Sequence, residues 1–272
     1  MRYLLAFLLL LAPPAFACGP DTDCPVGDRL YRIAMPEGWD GASTVPALVW
    51  SHGYRGSAQG VMRNGSIRRM LSEAGFALIA AQGVNGTWDL PYGPRTFDSD
   101  GSAEFAYFDA VIADAVANHH VDPDRIIASG FSAGGMVVWN LACSHSENFA
   151  GFVPISGTFW LMPPPACEGS AASLVHIHGT QDKTVPLEGR RIRETKQGQV
   201  ATSLVAYERF GNFGAAEAYE TGALDCQSRA NPQGEILDIC LFDGGHSFRT
   251  EYLKHGLDRL LATGQFLGGQ VK

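Results

Sequence analysis

The stretch from Arg125 to Trp139, RIIASGFSAGGMVVW, sets one serine between glycines at the seam of two apolar runs. Gly130, Ser132 and Gly134 fit the spacing G-x-S-x-G. In that pattern a strand turns sharply into a helix. The glycines let neighbouring backbone pack close, and a strained serine backbone pushes the hydroxyl into the open. A serine hydroxyl is a weak nucleophile at neutral pH, so it needs a base in reach and an acid to orient that base. Behind this kind of turn the acid and the histidine follow the serine in chain order, at the ends of later strands. Asp182 closes the run SLVHIHGTQD, and His246 closes EILDICLFDGGH. Ser132, Asp182 and His246 are therefore the candidate catalytic residues. Asp243 is a rival acid, but it lies three residues before His246 on the same loop and is awkwardly placed for Nδ1. An oxyanion formed at Ser132 needs N–H donors. The amide of Ala133, next to the nucleophile, is one candidate, and that of Tyr54 in SHGYRGS is the other.

These groups need elements to hold them. Arg29 to Ala34, Ala47 to Ser51, Phe76 to Gln82, Arg125 to Ser129, Gly151 to Ser156, Ser173 to Gly179 and Glu235 to Phe242 read as strands. Between them lie helical patterns over Ile67 to Ala74, Ala103 to Asn118 and Ala133 to Cys143, with a closing helix marked by Leu253, Leu257, Leu260 and Leu261. Ser102 is the expected cap of the second helix. The third is apolar nearly all round and should be buried. Asp122-Pro123-Asp124 reads as a turn. Alternating strands and helices imply an α/β fold with a mostly parallel central sheet flanked by helices. No linker or repeat divides the chain, so one domain is expected over 18–272. His176 and His178 share a strand face, and two ligands without a third are a poor metal site, so both read as structural. His255 is expected on the surface. Trp88, Tyr92, Phe159 and Trp160 fall on loops after strands, where aromatics line pockets or cap cores; Trp88 and Trp160 are the candidate substrate contacts.

The N-terminus reads as a signal peptide over 1–17, with Arg2, an apolar run from Leu4 to Ala12 and the cleavage pattern Ala15-Phe16-Ala17. That run is too short for a stable membrane anchor, and an extracytoplasmic location follows. Six cysteines suit an exported, disulfide-bonded chain. Proximity favours Cys18–Cys24, Cys143–Cys167 and Cys226–Cys240, while a lipidated Cys18 is the competing reading. The net charge of −8 and the lack of a basic cluster argue against nucleic acid as a partner.

The pieces HGYRGS, VDPDRIIASGFSAGGMVVWNLACSHSENFAGFVPISG, VHIHGTQDKTVP and GGHSF resemble one group of proteins. These are the secreted α/β-hydrolase esterases of the poly(3-hydroxybutyrate) depolymerase and feruloyl or acetylxylan esterase kind. The resemblance implies carboxylic-ester hydrolysis through an acyl-enzyme, with no cofactor and with a small ester, a plant cell-wall ester or a polyester as partner. It assigns Ser132 as nucleophile, Asp182 as orienting acid, His246 as base, the amides of Tyr54 and Ala133 as oxyanion donors, and Trp88 to the substrate's surroundings. The chain departs from the group's pattern at Gly-His-Ser-Phe and at Ala103-Glu104, which leaves the substrate open. A serine peptidase on the same fold and a catalytically silent binding protein are the alternative readings.

Overall fold

The computed structural model describes residues 18–264; the expected signal segment lies outside them. A ten-stranded sheet runs through the centre. Its strands in chain order are β1 (Cys24–Val26), β2 (Arg29–Ala34), β3 (Val45–Ser51), β4 (Ala77–Ala81), β5 (Val121–Phe131), β6 (Gly151–Ile155) and β7 (Leu174–Gly179), then, after a separate hairpin of β8 (Arg190–Ile192) and β9 (Thr195–Gln197), β10 (Glu217–Thr221), β11 (Leu224–Ala230) and β12 (Ile236–Phe242). Across the sheet the order is β1-β2-β4-β3-β5-β6-β7-β12-β11-β10. The run from β4 to β12 is parallel, and both edges are antiparallel.

The helices are α1 (Ala58–Met62), α2 (Gly65–Glu73), α3 (Ser102–His119), α4 (Ala133–Ser144), α5 (Val200–Gly211) and α6 (Thr250–Ala262). Side chains alternate across a strand, and the parallel strands feed two cores accordingly. Ala47, Val49, Ala77 and Ile79 face the core that holds α3, α4 and Tyr207 of α5. Leu48, Trp50, Leu78 and Ala80 face the one that holds α1, α2 and α6. Burial on both faces is why these strands read as unbroken apolar runs. Every residue of α4 from Gly134 to Cys143 is buried, as its composition requires.

Several expectations shift. Gly101, at φ +78°, is the cap of α3, and Ser102 is its first helical residue. The left-handed turn there suits a residue without Cβ better than it suits serine. The Asp122-Pro123-Asp124 turn is an excursion within β5, where the register against β3 jumps from Val45↔Val121 to Ala47↔Ile126. Helices α1 and α5 and strands β1, β8, β9, β10 and β11 add to the elements read from sequence. The three expected disulfides are present. Cys18 pairs with Cys24. Cys226 and Cys240 face each other across β11 and β12. His255 is half-buried rather than exposed on the surface. It lies over that disulfide, with Nε2 3.4 Å from Cys240 Sγ and 3.3 Å from Tyr219 Oη. Among the described residues no helix is long and apolar enough to cross a membrane.

Candidate active site

Ser132 stands between β5 and α4 with φ 61° and ψ −119°. A non-glycine residue holds that conformation only where its surroundings force it. Here they do. Its N–H donates to Ile155 O at 2.9 Å, and its carbonyl accepts from Met136 N–H at 3.1 Å. A Cβ on Gly134 would collide with Ser51 O, and one on Gly130 would come within 2.6 Å of the Gly134 backbone. The glycines let β3, β5 and the first turn of α4 touch through backbone alone, and the serine is left to project.

Asp182 lies beyond β7 and His246 beyond β12, on neighbouring parallel strands. Their loops are laced together by Thr180 N–H to Phe242 O at 2.9 Å and Gln181 N–H to Gly244 O at 2.8 Å. His246 Nδ1 is 2.6 Å from Asp182 Oδ2. Asp182 Oδ1 accepts from the Thr184 and Val185 amides, each at 2.8 Å. Burial works to raise the carboxyl pKa. Hydrogen bonds from His178, His246 and the Val185 amide outweigh it and hold the group well below the usual carboxylate range. The rival acid Asp243 accepts from Gln181 Nε2 at 2.6 Å instead. The His246 ring packs, tilted, at 4.6 Å from that of Phe131, the neighbour of Ser132. The ring therefore sits at the serine's rim, although no hydrogen bond links it to Ser132 Oγ among the described residues. Such contacts often tighten only when substrate binds.

His176 and His178 form the floor under Asp182. Val185 O, an acceptor only, lies 2.7 Å from His178 Nε2, so that nitrogen carries a proton. His178 Nδ1 and His176 Nε2 lie 3.0 Å apart, within hydrogen-bond reach. Burial holds the His176 pKa well below 6.5. The same Nε2 of His178 is 3.5 Å from Asp182 Oδ2. The two rings thereby brace the acid loop.

The loop after β3 is built on His52. Gly83 N–H donates to His52 Nε2 at 3.0 Å, which places the ring proton on Nδ1, bonded to Gly53 O at 2.8 Å. Trp88 stacks on this ring at 4.6 Å and donates from Nε1 to His52 O at 2.8 Å. Among the described residues the amides of Tyr54 and Ala133 donate to no protein acceptor, and both residues border one cavity of about 290 Å³ with Ser132. Ala133 opens α4, where free N–H groups and the helix dipole favour negative charge. Trp88 and Trp160 form part of the cavity wall. Tyr92 packs on Phe97 outside it, and Phe159 is buried against Trp139 in the core.

Glu104 is a site-supporting residue that the sequence reading passed over. It is buried on α3, pairs with Arg29 at 2.7 Å, and accepts from the Asp89 amide at 2.7 Å, next to Trp88. Its signal was a charge at i, with Phe108, Val111 and Ala115 continuing the same buried stripe.

The sheet order, the strained serine turn and the positions of the loops define an α/β-hydrolase fold. Residues 96–205 match the phospholipase/carboxylesterase family. NocK of Nocardia uniformis subsp. tsuyamanensis, named as a putative esterase, is 30% identical over 168 residues, which is 59% of this chain and 47% of that protein. Feruloyl esterase C of Emericella nidulans is 24% identical over 171 residues, 60% of this chain and 58% of that one. This chain thus spans only about half the length of these relatives. Among solved structures, the acetyl xylan esterase from Aspergillus awamori superposes with a TM-score of 0.65 at 14% identity, covering 88% of this chain and 94% of the other. The Bacillus cereus carboxylesterase does so with a TM-score of 0.59 at 14% identity, covering 87% and 95%. The chain has the α/β-hydrolase fold and is related in sequence to esterases.

Proposed function

We propose that this protein is an exported serine hydrolase of carboxylic esters that works through an acyl-enzyme. The observation that carries the reading is the strained, projecting Ser132 on the same sheet edge as the 2.6 Å Asp182–His246 hydrogen bond. An ionised Asp182 only accepts, so the Nδ1 proton stays on His246 and Nε2 is left as the base. His246 Nε2 takes the proton of Ser132 as Oγ attacks the ester carbonyl. The carbonyl electrons move onto oxygen, which the amides of Tyr54 and Ala133 stabilise. The protonated imidazole then gives its proton to the departing alcohol, and the acyl group stays on Oγ. Water, deprotonated by the same nitrogen, repeats the sequence and releases the acid.

Three disulfides support an oxidising compartment, in line with the signal segment read from residues 1–17. The relatives' names favour cell-wall esters of the feruloyl or acetylxylan type, while the chain's own resemblance also includes polyester. The test combines a fluorophosphonate probe with hydrolysis of p-nitrophenyl butanoate, methyl ferulate, a hydroxybutyrate oligomer and a peptide p-nitroanilide. Wild type is labelled and cleaves at least one ester; Ser132→Ala is not labelled and loses several orders of magnitude in kcat. A folded wild type that takes no label would instead be a silent binding protein, and cleavage of amides in preference to esters would make it a peptidase.

A further inference from the structure

The cavity beside Ser132 has a charge at odds with the chain that builds it. The protein carries 28 acidic against 20 basic residues. Yet the cavity is bordered by Arg95, Arg190 and Arg193, and no Asp or Glu shares its wall. They arrive from two places: Arg95 from the loop between β4 and α3, Arg190 and Arg193 from the β8–β9 hairpin. None of them belongs to an ion pair among the described residues. Arg190 spends its Nε on Thr184 O at 2.7 Å and Gln197 Oε1 at 3.1 Å, and its two terminal nitrogens meet no acceptor among the described residues. Arg95 gives one N–H to Tyr54 Oη at 3.2 Å. Arg193 sits at φ +54° in the hairpin turn, and its guanidinium meets no acceptor among the described residues. Such turns favour glycine or asparagine, so a long cation placed there asks for a reason.

Unpaired guanidiniums around one small cavity raise the local potential and lower the cost of bringing an anion in. Their planar forks match a carboxylate in two-point contact. We propose that this site selects esters that carry a second, ionised carboxylate, held by Arg95, Arg190 and Arg193 while the ester carbonyl lies at Ser132. The proposal rests on the ester-hydrolase reading above and adds the substrate's charge to it. A cavity of about 290 Å³ is at the small end of ligand sites, so the anion and the ester belong to one compact molecule or to the end of a longer one.

The experiment compares matched pairs by titrating released acid at pH 8. On the alcohol side the pair is 4-carboxyphenyl butanoate and its neutral methyl ester; on the acyl side it is monoethyl adipate and diethyl adipate. At least one anionic member is expected to exceed its neutral partner in kcat/KM by about tenfold or more, mainly through KM. Raising salt to 0.5 M should shrink the ratio, because exposed charges are screened. Arg193→Gln and Arg95→Gln should each cut kcat/KM for the anionic member more than for its neutral partner. The side of the ester that shows the preference tells where the carboxylate sits. Neutral members cleaved as well as or better than both anions, with the arginine variants affecting each pair equally, would overturn the proposal and leave the esterase reading intact. A wild type that cleaves neither these esters nor p-nitrophenyl butanoate would sink the esterase reading itself.

Discussion

At the scale of single residues the argument turns on which atom of Asp182 faces which donor. Oδ1 is committed to two backbone amides and Oδ2 to His246, with His178 Nε2 farther off at 3.5 Å. In Asp182→Asn the amide oxygen must stay with the two N–H groups, which turns the NH₂ toward His246. That group can only donate, so the ring must present a bare Nδ1 and carry its proton on Nε2, the wrong place for a base. The expected result is a loss of about 10⁴ in kcat with little change in KM and a melting temperature close to wild type; steady-state kinetics on p-nitrophenyl butanoate check it. Tyr54→Ala makes the opposite case. The backbone N–H survives the substitution, so kcat should stay within about tenfold, well short of the 10²–10³ that a lost oxyanion donor costs. A larger loss would move the work from the Tyr54 amide to its ring.

At the scale of elements the serine turn depends on backbone meeting backbone. Gly134→Ala drives a methyl group into Ser51 O, and neither β3 nor α4 has slack to yield because both are buried. Overpacking of a core costs about 1–3 kcal/mol or more, which for a domain this size lowers the melting temperature by roughly 2–4 °C per kcal/mol. A Cβ at Gly65, at the start of α2, meets nothing, so Gly65→Ala should be neutral or slightly stabilising. Thermal melts of the pair test this directly, and equal melting temperatures would mean the turn can relax. The serine turn, Asp182 and His246 were legible because each is a local pattern at the end of an apolar strand. Helix α5 and the hairpin β10–β11 were not. The strands EAYET and LDCQSRA close one end of the sheet, and only Leu224 and Cys226 are buried in them, so too few apolar residues mark their two-residue alternation. The arginine-lined cavity was invisible for another reason. Arg95 and Arg193 are almost a hundred positions apart in the chain, and only the folded loops bring their charges to one wall. His178 could be placed on its strand, but its proton's position follows from Val185 O, a tertiary fact.

At the scale of the whole molecule, buried imidazoles link stability to pH. Burial lowers the pKa of His52, His119, His176 and His255. In the unfolded chain each takes up a proton below about pH 6.5, while in the fold each resists until its own lower value. Between those limits the unfolded state holds more protons, so stability falls as pH falls. Above about pH 7 both states are neutral and the full stability is present. Asp182 acts in a separate window. Its folded pKa is depressed too, so its contribution is intact above about pH 4 and is lost only under stronger acid. The wild type should therefore show a plateau in urea-unfolding free energy from pH 8 to 7 and a decline from about pH 6.5 to 5. His176 is fully enclosed, and its share of that slope approaches about 1.4 kcal/mol per pH unit. His176→Gln keeps an N–H for His178 Nδ1 and removes the titrating ring. It should flatten the decline by about one proton while leaving the acid limb below pH 4 in place. A slope unchanged by the substitution would mean that His176 is charged in the fold, and the hydrogen-bonded pair of rings beneath Asp182 would have to be redrawn.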